Sequence, residues 1–178
     1  MPLITDKVYQ ALQAIPDKRT ARAIITAIER LWPRTRAVNV TAALTLNQDV
    51  HDGKVLTVNS AAGIALTLPA STGQGARYRL YIGTTITSIG TTIKVANASD
   101  FMFGNVYQAG ATGASTAFST ANTGTAGTES DTITMNGTTT GGFKGDYLDI
   151  EDVALNAWRV LLHTRISGTA ATPFSATV

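Results

Sequence analysis

Apolar and polar positions change their rhythm once along this chain, near residue 37. Before it, apolar residues recur at helical spacing. Val8, Leu12 and Ile15 lie four and three apart behind Thr5, a side chain suited to capping a helix N-terminus, and Pro16 stops the run. Asp17 is placed to cap a second helix, in which Ala21, Ile24, Ile25, Ile28, Leu31 and Trp32 form one stripe up to Pro33. Lys18, Arg22 and Arg30 lie off that stripe. Two helices of this size cannot enclose a core between them. The stripe is therefore expected to dock elsewhere, through Ile24, Ile25, Ile28, Leu31 and Trp32, with Arg22 and Arg30 beside it.

From Val38 onward the period is two. "VNVTAALTL", "KVLTV", "GIALTLP", "ARYRLYIG", "TTIKVA", "DTITM", "DYLDIEDV" and "NAWRVLLHTRI" alternate apolar with polar residues, and Gly, Asn, Asp, Ser or Pro separates them. Short strands between turn signals predict a mainly β domain, an antiparallel sandwich or barrel of jelly-roll type. Asp52-Gly53 reads as a hairpin turn. The absence of a strand–helix–strand rhythm argues against a Rossmann-like fold. Residues 108–130 are almost wholly Ala, Gly, Ser and Thr around Phe118 and predict a long surface loop with one weak strand at Phe118. The expected division is a helical arm over 1–36 and a β domain over 37–178.

Composition sharpens this picture in two places. Charged residues make up only 15% of the chain, against roughly a quarter in an ordinary soluble domain. Thr, Ser, Asn, Ala and Gly replace them, a surface common in secreted and virion proteins that pack into assemblies. The net charge of +2 also conceals an asymmetry: residues 1–36 hold seven Lys/Arg against three acids, and the remainder holds seven against nine. There is no Cys, so no disulfide, thiol nucleophile or Cys-based zinc site is available. No apolar run is long enough to cross a bilayer, and the first residues lack a basic-then-apolar leader. A soluble chain made in a cytoplasm is the expectation.

Candidate chemistry is sparse. His51, before Asp52-Gly53, reads as an exposed loop residue, and His163, between Leu162 and Thr164, as a structural strand residue. No nucleotide-loop, nucleophile-elbow or zinc-protease motif occurs. Asp146, Asp149, Glu151 and Asp152 are the best metal candidates. However, Leu148 and Ile150 alternate with Asp149 and Glu151, which favours a solvated strand face over a calcium loop, and Asp146 reads as a turn residue. The Thr/Gly run before them, "NGTTTGGFKG", reads as a surface connection. The basic helical pair is a poor DNA-binding motif, since its second helix is rich in Ile and Ala and ends at Trp32-Pro33. Arg77 and Arg79 point away from Tyr78 on an alternating strand, which disfavours a nucleic-acid platform. Tyr78, Tyr81, Tyr147 and Trp158 are candidates for a glycan site, with Trp158 better read as core.

The stretches "LTLPASTGQGARYRLYIG" and "GDYLDIEDVALNAWRV", with "TIKVANASDFMFGNVY" and "GTAATPFSA", resemble a recurrent module of tailed-phage capsid decoration, cement or head-fibre proteins. The resemblance spans about residues 40–175 and leaves the helical arm outside it. It implies an antiparallel β domain, trimeric, bound to the outside of an icosahedral shell through the major capsid protein, and it carries no catalytic residues. The expected function is thus a structural, non-enzymatic virion protein on the capsid exterior, made in the host cytoplasm, with no cofactor, metal, nucleic acid or membrane partner. A trimeric fibre or spike module binding host-surface glycan is the alternative.

Overall fold

The computed structural model describes residues 17–31, 37–121 and 128–178, and the chain divides into two compact units, Met1–Thr35 and Arg36–Val178. In the first unit, helix α1 (Lys18–Leu31) starts where the sequence predicts. The Asp17 carboxylate accepts from the Arg19 amide at 2.9 Å, and the Ala21 amide donates to the Asp17 carbonyl, which is the geometry of an N-cap. Hydrogen bonds from the Thr20 hydroxyl and the Arg19 amide also hold the Asp17 carboxyl below the usual range. The predicted first helix over 5–15 lies outside the described residues.

The second unit is mainly β. Its strands are β1 (Val38–Val40), β2 (Leu44–Thr45), β3 (Val55–Val58), β4 (Ala65–Thr67), β5 (Arg77–Ile82), β6 (Thr91–Lys94), β7 (Phe101–Gly110), β8 (Ser115–Ser119), β9 (Thr132–Met135), β10 (Tyr147–Ala154), β11 (Ala157–Ile166) and β12 (Phe174–Ser175). They form a seven-stranded sheet in the order β1-β3-β5-β10-β11-β7-β8 and a five-stranded sheet in the order β12-β9-β6-β4-β2. The buried side chains between them make a sandwich: Leu56, Tyr78, Leu80, Met102, Leu148, Trp158 and Leu162 from one sheet, Leu66, Ile93, Ile133 and Met135 from the other. Tyr78 and Trp158 meet at its centre, with ring centroids 5.9 Å apart.

The sandwich is as expected, but its pairing is not purely antiparallel. From β1 to β6 the chain alternates between the sheets, and each strand lies parallel to the strand before last: β1 with β3, β3 with β5, β2 with β4, β4 with β6. Parallel neighbours need a long crossover, and here the crossover is a strand of the opposite sheet instead of a helix. Asp52-Gly53 is accordingly not a hairpin turn. A helical turn, α2 (Gln48–His51), capped by Asn47, separates β2 from β3, and Asp52 closes it by donating its amide to the Gln48 carbonyl. His51 is buried there, not exposed, with Nδ1 accepting from the Asn47 amide at 2.9 Å; burial lowers its pKa.

The described part of the Ala/Gly/Ser/Thr segment, 108–121 and 128–130, is also more ordered than expected. Its first residues complete β7, and Phe118 lies in β8, which forms a hairpin with β7. The Thr/Gly run between β9 and β10 packs inward at Thr140, while the Asn136 side chain accepts from the amides of Thr138, Thr139 and Thr140. It is therefore packed against Ile86 rather than a loose surface connection, and a Cβ at Gly137 would fall 1.9 Å from the Ile86 carbonyl oxygen.

Candidate partner-binding face

The acidic cluster divides by the alternation of β10. Leu148, Ile150 and Asp152 point inward, and Asp149 and Glu151 point outward, as the pattern predicts for the last two. Asp146 and Asp152 correct the solvated reading: both are buried, although Asp146 does close a turn, its amide donating to the Phe143 carbonyl. Asp146 is buried at the entry to β10, where its carboxylate accepts from the Gly142, Phe143 and Arg165 amides. Burial nevertheless pushes its pKa up, with those amides and the Arg165 charge opposing the rise. Asp152 is buried at the far end. Burial raises its pKa, but hydrogen bonds from Ser71, Thr72 and Gly73 outweigh that and leave it lowered. The four acids do not converge, and among the described residues no group of three or more His, Asp or Glu side chains is arranged to hold a metal.

On the outer face of the seven-stranded sheet, register builds two rows. Glu151 stands between Arg77 on β5 and Arg159 on β11, and Asp149 stands opposite Arg79. Glu151 accepts from Arg77 Nε at 2.8 Å and Arg159 Nη2 at 2.9 Å; these bonds, Arg159 first, lower its pKa. Arg79 holds Asp149 with two parallel bonds, Nε to Oδ1 and Nη2 at 2.7 Å to Oδ2, and this pairing raises the arginine's own pKa. The acids sit low, with side chains 18% and 28% exposed, while Arg77, Arg79 and Arg159 are 73%, 50% and 50% exposed. With Lys54 they line a shallow groove of about 370 Å³ in which four cations face two carboxylates. Exposed ion pairs add little stability. Their effect here is to orient the guanidinium groups and leave the face positive.

The second row is aromatic. Tyr147 is registered against Tyr81 on β5 and His163 on β11, and His163 against Tyr107 on β7. Ring centroids are 5.8, 4.9 and 5.4 Å apart along the row, with interplanar angles of 33°, 14° and 26°. His163 is stacked between Tyr147 and Tyr107, so both its faces are covered, and Tyr81 tilts against the other side of Tyr147. Sugars and bases need an open ring face; the inner rings Tyr147 and His163 have a ring on each side, and of the two end rings Tyr107 is half exposed and Tyr81 less so. Of the four aromatic candidates for a glycan site, Tyr78 and Trp158 are in the core, and Tyr81 and Tyr147 are in this stack. Sequence reading missed Tyr107 and placed His163 in a structural strand without its neighbours. The β7–β11 pairing is parallel and distant in sequence, so no local signal announces the row.

Of the residues expected to dock from the helical arm, Arg22 and Ile24 are exposed on α1. Trp32 lies outside the described residues, as do the side chains of Ile25, Ile28, Arg30 and Leu31.

Two apolar tips flank the sheet. Val153 and Leu155 are exposed at the β10–β11 turn. Ile89 is 93% exposed between β5 and β6 with φ 62°, in the left-handed region that a β-branched residue occupies only under strain. Ile89→Gly is expected to raise unfolding stability by about 1 kcal/mol, because it relieves that strain and uncovers no core. Chemical denaturation checks this, and an unchanged or lower midpoint would count against the strain.

Comparison with protein-family models, with curated proteins and with solved structures gives no match for this chain.

Proposed function

We propose that this chain is a structural protein of a tailed-phage particle, binding the outer surface of the capsid as a homotrimer and stabilising or decorating the shell. In this reading its partners are the major capsid protein and its own copies, and it performs no catalysis. It is made in the host cytoplasm and resides on the virion exterior. The observation that carries the reading is the outer face of β5, β10, β11 and β7. Arg and Tyr, the side chains that most often anchor protein contacts, stand there in fixed rows on a sheet with a packed core behind it. Inner rings covered by their neighbours favour a protein surface over the glycan of the fibre-tip alternative. The resemblance of residues 40–175 to capsid decoration proteins supports the choice of protein.

The helical arm supplies the anchor. Each stripe residue buried in a partner contributes roughly 1.5–3 kcal/mol, and three linked copies multiply modest contacts into high avidity. A partner that binds the assembled shell but not free subunits stabilises the shell by mass action.

Particles of the phage, stripped of this protein and reincubated with it, test the reading. The full chain should restore a trimeric density on the shell. Deleting residues 1–36 should leave a folded β unit with no occupancy, and Arg77→Glu with Arg159→Glu should weaken binding at least about tenfold. Wild-type occupancy by both variants would overturn the proposal.

A further inference from the structure

The hairpin of β7 and β8 fixes which main-chain groups of β8 are satisfied. At its turn the Gly110 amide donates to the Ala114 carbonyl, and beyond its open end the Thr120 amide donates to the Gly104 carbonyl. Between these points Gln108 faces Thr116 and Val106 faces Phe118. Hydrogen-bonded pairs recur at every second residue of an antiparallel ladder. Thr116 and Phe118 therefore turn their N–H and C=O groups toward β7, whereas Ser115, Ala117 and Ser119 turn theirs to the other side. Among the described residues no strand lies on that side, because β8 ends the sheet. The chain that leaves β8 is tied at Ala121 to Ser130 by two hydrogen bonds.

Exposed edges in natural sheets are guarded by charge, proline, a bulge or shortness. β8 has no charged residue or proline, and its register with β7 is unbroken over five residues. The other edges of the two sheets differ. β2 and β12 have two residues each. In β1 the Val40 carbonyl accepts from the Asn59 amide, so Val38 and Val40 face β3 and only Asn39 faces out.

We propose that β8 pairs antiparallel with β8 of a second copy of this chain, across a two-fold axis at Ala117, so that two seven-stranded sheets become continuous. The occupant is a second copy because the edge is complementary to itself. In this register Ala117 opposes Ala117, Ser115 opposes Ser119 and Thr116 opposes Phe118, which brings together only uncharged side chains and forms about six main-chain hydrogen bonds. The contact is independent of the trimer proposed above. Alone it gives a dimer, and with that trimer it links trimers in pairs.

A chain without cysteine allows a direct test. Under mild oxidation Ala117→Cys should form a disulfide-linked dimer, since the axis places residue 117 opposite itself within bridging distance. Ser115→Cys, which would face Ser119, should remain unlinked. Ala117→Pro removes only an outward N–H, so it should keep its melting temperature while its mass by light scattering falls by half. Ala117→Glu, which sets like charges across the seam, should reproduce that fall if proline disturbs the hairpin. A dimer or hexamer of the 18.6 kDa chain at tens of micromolar supports the pairing. A monomer or a bare trimer overturns it, the latter leaving the trimeric reading intact. So does equal cross-linking of the two cysteine variants, or a mass unchanged in Ala117→Glu.

Discussion

Asp152→Ala protein is expected to melt roughly 10 °C below the parent chain, a loss of about 4 kcal/mol in a domain of this size. The buried carboxylate gathers five donors from the segment between β4 and β5. Ser71 Oγ at 2.7 Å and the Gly73 amide at 2.8 Å reach Oδ1, while the Thr72 amide and hydroxyl, both at 3.0 Å, and the Gln74 amide at 3.2 Å reach Oδ2. Alanine removes the acceptor that ties the Thr72, Gly73 and Gln74 donors to β10, while the Ser71 hydroxyl keeps the Ala154 carbonyl at 2.6 Å. The same site sets an acid dependence. The folded state holds the Asp152 proton more weakly than the unfolded chain does, so its contribution is complete above the ordinary carboxylate value of 3.8 and disappears as pH falls through the lower folded value. Asp146 acts with the opposite sign, because its folded pKa is raised: ionising it costs stability as pH climbs past 3.8. Melting curves between pH 2 and 7 should therefore show a shallower acid decline below about pH 4 in Asp152→Ala than in the parent. Parallel curves for the two proteins would show that the carboxylate is not the linked group.

Gly104→Ala should be more damaging still, with no stable folded protein recovered at 37 °C. Gly104 sits within β7 opposite Val160 of β11 at φ 148°, and a Cβ there would lie 1.8 Å from the Val160 carbonyl oxygen. That atom is main chain in the middle of the sheet and cannot rotate aside, so the parallel ladder itself must open. Gly53→Ala is the matched control. Gly53 also has positive φ, 67°, but nothing lies within 4 Å of its would-be Cβ. The cost there should be only the left-handed backbone, about 1 kcal/mol. Circular dichroism and solubility of the pair would separate the two, and a soluble, cooperatively melting Gly104→Ala protein would contradict the close approach.

What the sequence made legible was the local pattern. The alternation in "ARYRLYIG" and "DYLDIEDV" correctly assigned Leu148 and Ile150 to the inside and Asp149 and Glu151 to the outside, and set Arg77 and Arg79 on the face opposite Tyr78, though Tyr78 also stood as a glycan-site candidate and is in the core. Trp158 went to the core for the same reason. Period two says which side of a strand a residue faces, but not which strand lies beside it. The parallel pairing of β1 to β6 and the Tyr81–Tyr147–His163–Tyr107 row depend on that second fact, and both were invisible. Asp146, Asp152 and His51 were misplaced because most of their partners are backbone amides, whose geometry leaves no trace in side-chain pattern. Thr140 and Gly137 look like solvent-loving turn residues, yet they are small because another segment packs on them.

The position of β10 and β11 has a consequence for how the molecule comes into being. They are neighbours at the centre of the seven-stranded sheet, with β1, β3 and β5 on one side and β7 and β8 on the other. Yet in chain order they follow every other strand of that sheet. A nascent chain that has released everything up to β9 holds two partial sheets, each with an open edge, at β5 and at β7, waiting for the hairpin that joins them. Long-range pairings of this kind form slowly and expose aggregation-prone edges meanwhile. The nascent chain completes this sheet only once β10 and β11 have emerged, and a chain that stops before residue 147 has two half-sheets with no common centre.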